Sequence, residues 1–440
     1  MKRKIVVARV IFAAVATMAA QAALAVPSYA RQMGVSCSVC HTAFPQLTAF
    51  GRQFKLEGYT TTSEQVIAEK DAADKDFLSL ATSLPLSVMF QAGYTSTARS
   101  QPDTQNDSVS FPQEASLFLA GRLAPKLGAF VQASYDGAED HFGIDNVEFR
   151  FANQASVSGK AVAYGMTLNN NPTIEDLWST TPVWGFPWTS SGVAPTPAAG
   201  ALIQDLGQTV AGVGGYAMWN DAFYGAFTLY RSAQLGTPAP SIGSENTISG
   251  LAPYWRFAWQ HRSGPNSIEI GTYGLQASLF PSGVSGSKDE YTDIAGDIQY
   301  ERTFGTGLLT VHGTYISEDR TLDASVAAGA AAQSSNNIDT FRVDAGYVQG
   351  HWQVVGGYFD ISGDADALLY GSDPVSGSAN GSPDSSGYVM QGSFFPWRNV
   401  QVQAQYTAYT KFNGASNNYD GNGRYASDNY TVYLLGWFLW

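Results

Sequence analysis

The chain is poor in cysteine, in positive charge and in long apolar runs. Its 440 residues contain two cysteines, so a framework of several disulfides is excluded. Lysine and arginine number 24 against 37 aspartate and glutamate, and the resulting formal charge of −13 disfavours nucleic acid as a partner. Beyond residue 25 no run is long and apolar enough for a membrane-spanning helix. Aromatic residues and glycine are plentiful instead, with 23 Tyr, 24 Phe, 10 Trp and 45 Gly.

Residues 1–25 have the pattern of an export signal. A basic start, "MKRK", precedes an apolar run that ends in "ALA" at residues 23–25, which fits an A-x-A cleavage site. We therefore predict a signal peptide over 1–25 and a mature chain that begins near Val26. An exported chain of this composition is either a soluble all-β protein or an outer-membrane barrel.

From residue 84 onward, apolar and small or polar residues alternate with period two, as in "LSVMFQAGYTS" from Leu86. About sixteen such segments are separated by breaks that alternate between short and long, as expected of an outer-membrane barrel rather than a soluble sandwich. The aromatic-rich end, "NYTVYLLGWFLW", suits a closing strand at a membrane interface. We predict an all-β fold, with an antiparallel transmembrane barrel of about sixteen strands over 84–440. The predicted short breaks are 124–126, 153–156, 220–221, 263–266, 305–307, 349–350 and 396–399, and the long ones include 98–112, 169–207, 233–250 and 362–384.

Both cysteines stand in one C-x-x-C-H motif, Cys37 to His41. This spacing is that of c-type haem attachment: two thiols form thioether bonds, and the adjacent histidine becomes the proximal axial ligand. A structural zinc site would need four ligands, and a redox dithiol would need a βαβ setting. We therefore predict one covalent haem c on Cys37 and Cys40 with His41 on the iron.

Residues 26–83 are predicted to form a short haem segment followed by a connector over 60–83, for which a helix is one interpretation. One amphipathic helix is predicted to begin near Pro45. Four of its side chains are candidates for the haem pocket, although ordinary helix packing and solvated charges would explain the same pattern. The segment is too short to bury a haem by itself, so the barrel should supply the rest of the pocket. The four candidates are Phe50, Arg52, Phe54 and Lys55.

Three stretches resemble the fused monohaem cytochrome c–porins, the outer-membrane iron-oxidising cytochromes of Fe(II)-oxidising bacteria. They are "YARQMGVSCSVCHTAFPQLTAFGRQFKLEGYT" at 29–60, "SLFLAGRLAPKLGAFVQASYDG" with "DHFGIDNVEFRFA" at 116–152, and "LNNNPTIEDLWSTTPVWGFPW" at 168–188. The resemblance implies uptake of electrons from extracellular Fe(II), and their transfer to periplasmic carriers such as a cytochrome or a copper protein.

Haem iron used for electron transfer normally has two axial ligands. Parity along the predicted strands directs Met89 and His312 into the lumen, and Met166 and Met390 toward lipid. Met33 stands too close to the motif to cross a haem. Met89 is therefore the first choice for the sixth ligand and His312 the alternative. A space-filling Met89 and an open coordination position remain as other interpretations.

Two functions follow as hypotheses. The first is an electron conduit from an outside donor, with outer-membrane lipid around the barrel. The second is a passive porin that carries a haem-bearing plug or sensor. Carboxylates in the predicted outer loops, among them Glu175 and Asp176, would either concentrate Fe²⁺ or bind the divalent cations that bridge lipopolysaccharide.

Overall fold

The fold was analysed in a computed structural model, which describes residues 26–42, 46–102, 105–138, 140–182, 189–233, 247–281 and 283–440. The predicted signal peptide, 1–25, lies outside the described residues. In the described part of the chain, no helix has both the length and the apolar character needed to cross a bilayer.

Sixteen antiparallel strands form a closed barrel, as the period-two pattern predicted. The first barrel strand, Leu86–Thr97, pairs with the last, Thr431–Leu439, and Phe223–Ser232 pairs directly with Ala252–Ser263, so the described strands close into a barrel without a free edge. The sixteen barrel strands are β3 Leu86–Thr97, β4 Ser108–Ala124, β5 Leu127–Asp136, β6 His141–Val157, β7 Lys160–Asn169, β8 Val210–Trp219, β9 Phe223–Ser232, β11 Ala252–Ser263, β12 Asn266–Phe280, β13 Asp289–Phe304, β14 Gly307–Thr321, β15 Ser335–Gln349, β16 Trp352–Gly363, β17 Ser385–Trp397, β18 Val400–Lys411 and β19 Thr431–Leu439. A two-residue strand, β10 Thr247–Ile248, pairs with the end of β12 and is not counted among them.

Short turns lie at one end of the barrel and long connections at the other, as predicted. One predicted turn, 153–156, is wrong: β6 continues to Val157, and the turn falls at Ser158 and Gly159. Both turn residues have positive φ, 53° and 73°. A two-residue hairpin whose strands twist normally needs this conformation, and glycine adopts it without steric cost.

The outward positions form an apolar belt, with Phe257, Ile294 and Met390 each more than half exposed. Exposed aromatic residues cluster at the short-turn rim. Such a surface is typical of a barrel that spans a membrane, with aromatic side chains at the level of the lipid headgroups. The rim aromatics include Trp219, Phe223, Trp259, Phe304, Trp352, Phe438 and Trp440.

The described residues before the barrel include three helices: α1 Pro27–Met33, α2 Cys37–Cys40 and α3 Ala49–Leu56. The predicted helix start near Pro45 is wrong, because Thr48 caps α3 with its side chain, which accepts a hydrogen bond from the Gly51 amide. We refer to residues 26–42 and 46–63 as the N-terminal segment. It lies inside the lumen near the short-turn end, where Tyr29 donates to the Ala129 carbonyl.

Residues 64–83, predicted as part of a connector with a helix as one interpretation, form a hairpin of two strands, β1 Val66–Lys70 and β2 Asp76–Ala81. Asp71 organises the turn, since its side chain accepts hydrogen bonds from the Ala73 and Lys75 amides. The helical alternative for this stretch is therefore wrong. The alanine and lysine that suggested a helix occupy the turn and the exposed strand ends.

The described parts of the connection between β7 and β8, residues 170–182 and 189–209, lie inside the lumen instead of projecting outward. We call these two parts together the lumen loop. Trp178 packs against Tyr224 of the wall, with ring centroids 5.5 Å apart. Further along, the Tyr409 hydroxyl donates to the Pro195 carbonyl at 3.0 Å. The loop therefore reaches across the barrel above the N-terminal segment.

Candidate functional site

The cysteine motif occupies a single helical turn. Cys37 and Cys40 begin and end α2 and therefore lie on one side of it, and both thiols are free. They are buried, at 2% and 4% exposure, in a cluster with Tyr29, Met33 and Phe54. Burial raises the pKa of Cys37 strongly and that of Cys40 to about 11, so both thiols are protonated at neutral pH.

His41 follows directly and is oriented by backbone. Its Nδ1 lies 3.2 Å from the carbonyl oxygen of Gln46, and a short antiparallel bridge joins His41 to Leu47. A ring held at Nδ1 by a carbonyl presents its Nε2 on the opposite edge. This is the arrangement that commonly orients a histidine ligand toward a metal.

Gly51 joins the motif to α3. A Cβ at this position would lie 2.2 Å from the Cys40 carbonyl oxygen, so only glycine allows the helix to approach so closely. The same carbonyl accepts a hydrogen bond from the Thr48 amide at 2.8 Å. The C-x-x-C-H motif and the G-R-Q-F-K-L stretch are therefore one packed unit.

These residues fit a c-type haem. Two thiols lie one helical turn apart, and the next side chain is an imidazole whose Nδ1 is already held. Covalent attachment and ligation by His41 stay predictions that this geometry accommodates.

The predicted pocket aromatics separate into one buried and one exposed residue. Phe54 packs edge-on against Tyr29 and Tyr59, with centroid distances of 5.0 and 5.7 Å. Phe50, by contrast, is 44% exposed. Phe54 therefore belongs to the core of the N-terminal segment, while Phe50 is available to cover a bound group or a partner.

The two predicted basic residues of the pocket contact the barrel wall. The Arg52 guanidinium makes a two-pronged ion pair with Glu301, with its closest contact at 2.6 Å. Lys55 donates to the Ile174 carbonyl of the lumen loop and lies 3.9 Å from Glu148. Burial lowers the pKa of Lys55, although the nearby carboxylates of Glu148, Glu175 and Asp176 act in the opposite direction. Both residues hold the segment in place, and their contact with a haem stays a prediction.

Both candidates for the sixth ligand face the lumen. Met89 packs against Phe118 and Tyr433 in a cluster beside that of the cysteines. His312 is linked to the motif through one residue. Its Nδ1 lies 3.3 Å from the side-chain amide of Gln46, whose backbone carbonyl contacts His41. Met33, set aside on sequence distance, packs in the cysteine cluster itself. Ligation of the haem iron by Met89 or by His312 therefore stays a prediction.

One side of the lumen is lined by buried charges, which we call the ionic wall. Arg150 lies 3.6 Å from Glu148 and 4.0 Å from Glu175 of the lumen loop, over the ring of Tyr216. A second arginine of the wall stands among three carboxylates and over the ring of Trp178. Alternation along the strands places Glu148, Arg150 and Arg256 on the lumen side, but their pairing depends on how the barrel closes. The second group comprises Arg256 with Asp176, Glu269 and Asp297.

Glu175 and Asp176 thus correct the expectation that both belong to the cation-attracting outer loops. Both are buried inside the lumen. Burial by itself raises the pKa of Asp176, but Arg256 and the amides of Trp178 and Thr181 outweigh it and hold the pKa below its usual value. These carboxylates fasten the lumen loop rather than collect cations from outside.

The opposite side of the lumen is lined by glutamines, which we call the amide wall. Its side chains bond mainly to one another and to Thr189 of the lumen loop, for example Gln401 to Gln403 at 2.8 Å. Above them lies a cavity of about 290 Å³, whose lining includes Gln405 and Tyr409. The amide wall comprises Gln353, Gln391, Gln401, Gln403 and Gln405.

Comparison with protein-family models and with curated proteins finds no match. Among solved structures, the chain is similar to the anion-selective porin from Comamonas acidovorans, with 14% identity, a TM-score of 0.47 and coverage of 81% of this chain and 98% of that one. It is also similar to Salmonella typhi OmpF in complex with daunomycin, with 12% identity, a TM-score of 0.45 and coverage of 81% and 97%. At this identity and TM-score, the likeness carries no argument about activity.

Proposed function

We propose that the chain is an outer-membrane electron conduit that takes electrons from an extracellular donor, Fe(II), and passes them to a periplasmic cytochrome or copper protein. The carrying observation is the C-x-x-C-H unit, which is packed against α3 and held inside the lumen of a closed barrel. When bound there, a single covalent haem c would supply reversible one-electron exchange.

The barrel contributes what the N-terminal segment lacks. Arg52 and Lys55 reach Glu301 and Glu148 on the wall, and Gln32 donates to the Ala120 carbonyl at 3.2 Å. These contacts fix the motif in a low-dielectric site, where a redox group is shielded from bulk water. The resemblance to fused cytochrome–porins supports the same assignment.

Barrel architecture supports the direction of transfer that we propose. Short turns face the periplasm in outer-membrane barrels and long loops face outside. The N-terminal segment lies at the short-turn end, and the exposed ring of Phe50 belongs to it. We propose that the periplasmic acceptor docks at this mouth, and that the donor approaches from the long-loop end.

Haem attachment is the first test. Covalent haem staining of the denatured protein should be present in the wild type and absent in Cys40→Ala, while Ser38→Ala, within the same helical turn, should retain it. Staining of Cys40→Ala equal to wild type would remove the haem assignment. Redox spectra of outer-membrane fractions with and without Fe(II) then test the donor, and a haem that Fe(II) leaves oxidised would exclude it.

The sixth ligand remains a proposal with two candidates. If Met89 ligates the iron, Met89→Ala should leave the haem attached and lower its potential, because a methionine ligand favours the ferrous state. If His312 is the ligand, the ferric spectrum should change in His312→Ala and not in Met89→Ala.

A passive porin is the second candidate, favoured by the barrel itself and by the uncharged amide wall beneath the outer cavity. Single-channel conductance in planar bilayers separates the two functions. The conduit predicts little ion conductance in the wild type, because the N-terminal segment and the lumen loop enter the lumen. Stable open-channel conductance comparable with that of a sixteen-stranded porin would favour the passive role.

A further inference from the structure

Gln46 connects the proximal histidine candidate to the barrel wall. Its backbone carbonyl oxygen lies 3.2 Å from His41 Nδ1, and its buried side chain extends the other way. There the amide is held between the Thr42 hydroxyl, at 2.9 Å, and Nδ1 of His312, at 3.3 Å. One residue thus contacts both histidines, although 271 positions separate His41 from His312 in the chain.

His312 is itself held on two sides. Its Nε2 lies 2.9 Å from Nε2 of Gln299, which can only donate, so His312 Nε2 accepts. The same Gln299 nitrogen donates to the Trp178 carbonyl of the lumen loop at 3.1 Å. The neutral ring therefore carries its proton on Nδ1, which donates to a carboxylate oxygen of Asp344 at 3.1 Å. The Gln46 amide beside this proton must then turn its oxygen toward His312 Nδ1 and its nitrogen toward the Thr42 hydroxyl oxygen, because an amide nitrogen can only donate. The ring cannot turn without breaking contacts on both edges.

We propose that Gln46 is a positioning residue for His41, and that His312 and Asp344 hold Gln46 in place from the barrel wall. This inference rests on the proposed function, since it assigns His41 to the haem iron. It explains why a haem motif is fused to a barrel: the wall orients the ligand that the short segment presents. Partners of this kind fix the ring orientation and the basicity of a ligating histidine.

The proposal also gives His312 a different role from that of axial ligand. A ring whose two nitrogens face Gln46, Asp344 and Gln299 is a structural member of the wall. An axial ligand would have to give up one of these contacts. The two roles predict different patterns across the same variants.

The experiment uses the full-length protein with covalent haem, purified from membranes. Haem attachment is first checked by the mass of the intact chain. The readouts are the midpoint potential and the spread of g-values in the ferric EPR spectrum. The variants are Gln46→Ala, His312→Ala, their combination and His312→Asn, whose amide can still donate toward Asp344. Gln403→Ala, another buried inward glutamine, is the matched control.

We expect Gln46→Ala and His312→Ala to shift the ferrous-to-ferric ratio at fixed potential in the same direction, by about tenfold, which is about 59 mV for one electron. The ferrous fraction should rise, because a loosened His41 is a weaker donor to the iron. Their combination should add little beyond either variant, since both act through one contact. His312→Asn should restore part of the shift, and Gln403→Ala should cause none.

Three outcomes are separable. A wild type without covalent haem would refute the proposed function, and with it the basis of this inference. Attached haem with unchanged potential and g-values in Gln46→Ala would overturn the positioning role alone. A change of spin state in His312→Ala with no effect in Gln46→Ala would also overturn it, and would assign His312 to the iron.

Discussion

The two sides of the lumen are built from different chemistry on the same kind of strand. On the ionic wall, Arg150 and Arg256 stand among carboxylates from the strands and from the lumen loop. On the amide wall, glutamines bond to one another, as Gln401 does to Gln403, and to Thr189 of the lumen loop. In both walls, successive side chains of each strand point alternately into the lumen and out toward lipid. The alternation in the sequence therefore does not distinguish the two walls.

The difference shows where the inserted segments are fastened. A buried charge without its partner costs far more than a buried amide without its partner, so ionic contacts tolerate few alternative arrangements. The N-terminal segment places Arg52 and Lys55 against carboxylates of the barrel, and the lumen loop places Glu175 and Asp176 against arginines. The amide wall bonds to the loop through Thr189 and lines the outer cavity.

The largest effect should come from Arg256→Ala. It leaves Asp176, Glu269 and Asp297 buried together without their cation, which should lower the free energy of unfolding by about 3–5 kcal/mol. The matched change on the other wall, Gln403→Ala, should cost about 1 kcal/mol. Urea unfolding in detergent micelles, followed by circular dichroism, measures both. Equal losses would mean that the two walls do not differ in how they hold the structure.

The next effect concerns the attachment of the N-terminal segment. Glu301→Ala leaves the buried Arg52 without a carboxylate and should weaken docking by about 3 kcal/mol. Hydrogen exchange in α3 should then accelerate while exchange in the barrel strands stays slow. Asp74→Ala is the control, because its ion pair with Lys70 is largely exposed and should contribute no more than about 1 kcal/mol. Unchanged protection of α3 in Glu301→Ala would show that this ion pair does not anchor the segment.

A smaller effect is expected within the amide wall. Gln405→Leu removes the donor that serves Gln391 and the Thr189 carbonyl, and should cost about 1–3 kcal/mol. Exchanging Gln391 for leucine as well removes one of the orphaned acceptors, so the double variant should lose less than the sum of the two single variants. Additive losses in unfolding free energy would argue against a direct bond between the two glutamines.

The smallest effect is a pH dependence from Lys55. Burial lowers its pKa in the folded chain, so the unfolded chain binds a proton over a range of pH in which the folded chain does not. The free energy of unfolding should therefore rise with pH, from the lowered pKa of Lys55 in the folded chain up to the ordinary lysine pKa of 10.5. Unfolding free energies measured at about pH 8 and about pH 10 should show this rise, and Lys55→Met should reduce it. Lys75→Met, at an exposed position, is the control and should keep the full rise in unfolding free energy. If Lys55→Met also keeps the full rise, the pH dependence comes from another group.

Much of the architecture could be read from local pattern. Leu86 and its successors alternate because each strand has one lipid-facing and one lumen-facing side, and Met89 and His312 face the lumen as parity predicted. The turn after β6 was misplaced because Ser158 and Gly159 continue the polar run that precedes them. The hairpin at 66–81 was not predicted, because the alanine, aspartate and lysine in its turn are typical of a connector or a helix.

Local pattern suffices for the barrel, for the position of most turns and for the C-x-x-C-H unit, because each depends on residues close together in the chain. The inward course of the lumen loop, the pairing of Arg52 with Glu301 and the contact of Gln46 with His312 became visible only in the folded chain. The last two contacts join residues 249 and 266 positions apart, and the lumen loop meets strands from several parts of the barrel. An inward charge or amide is visible in the alternation, but its partner is set by the closure of the barrel and by the segments that enter it.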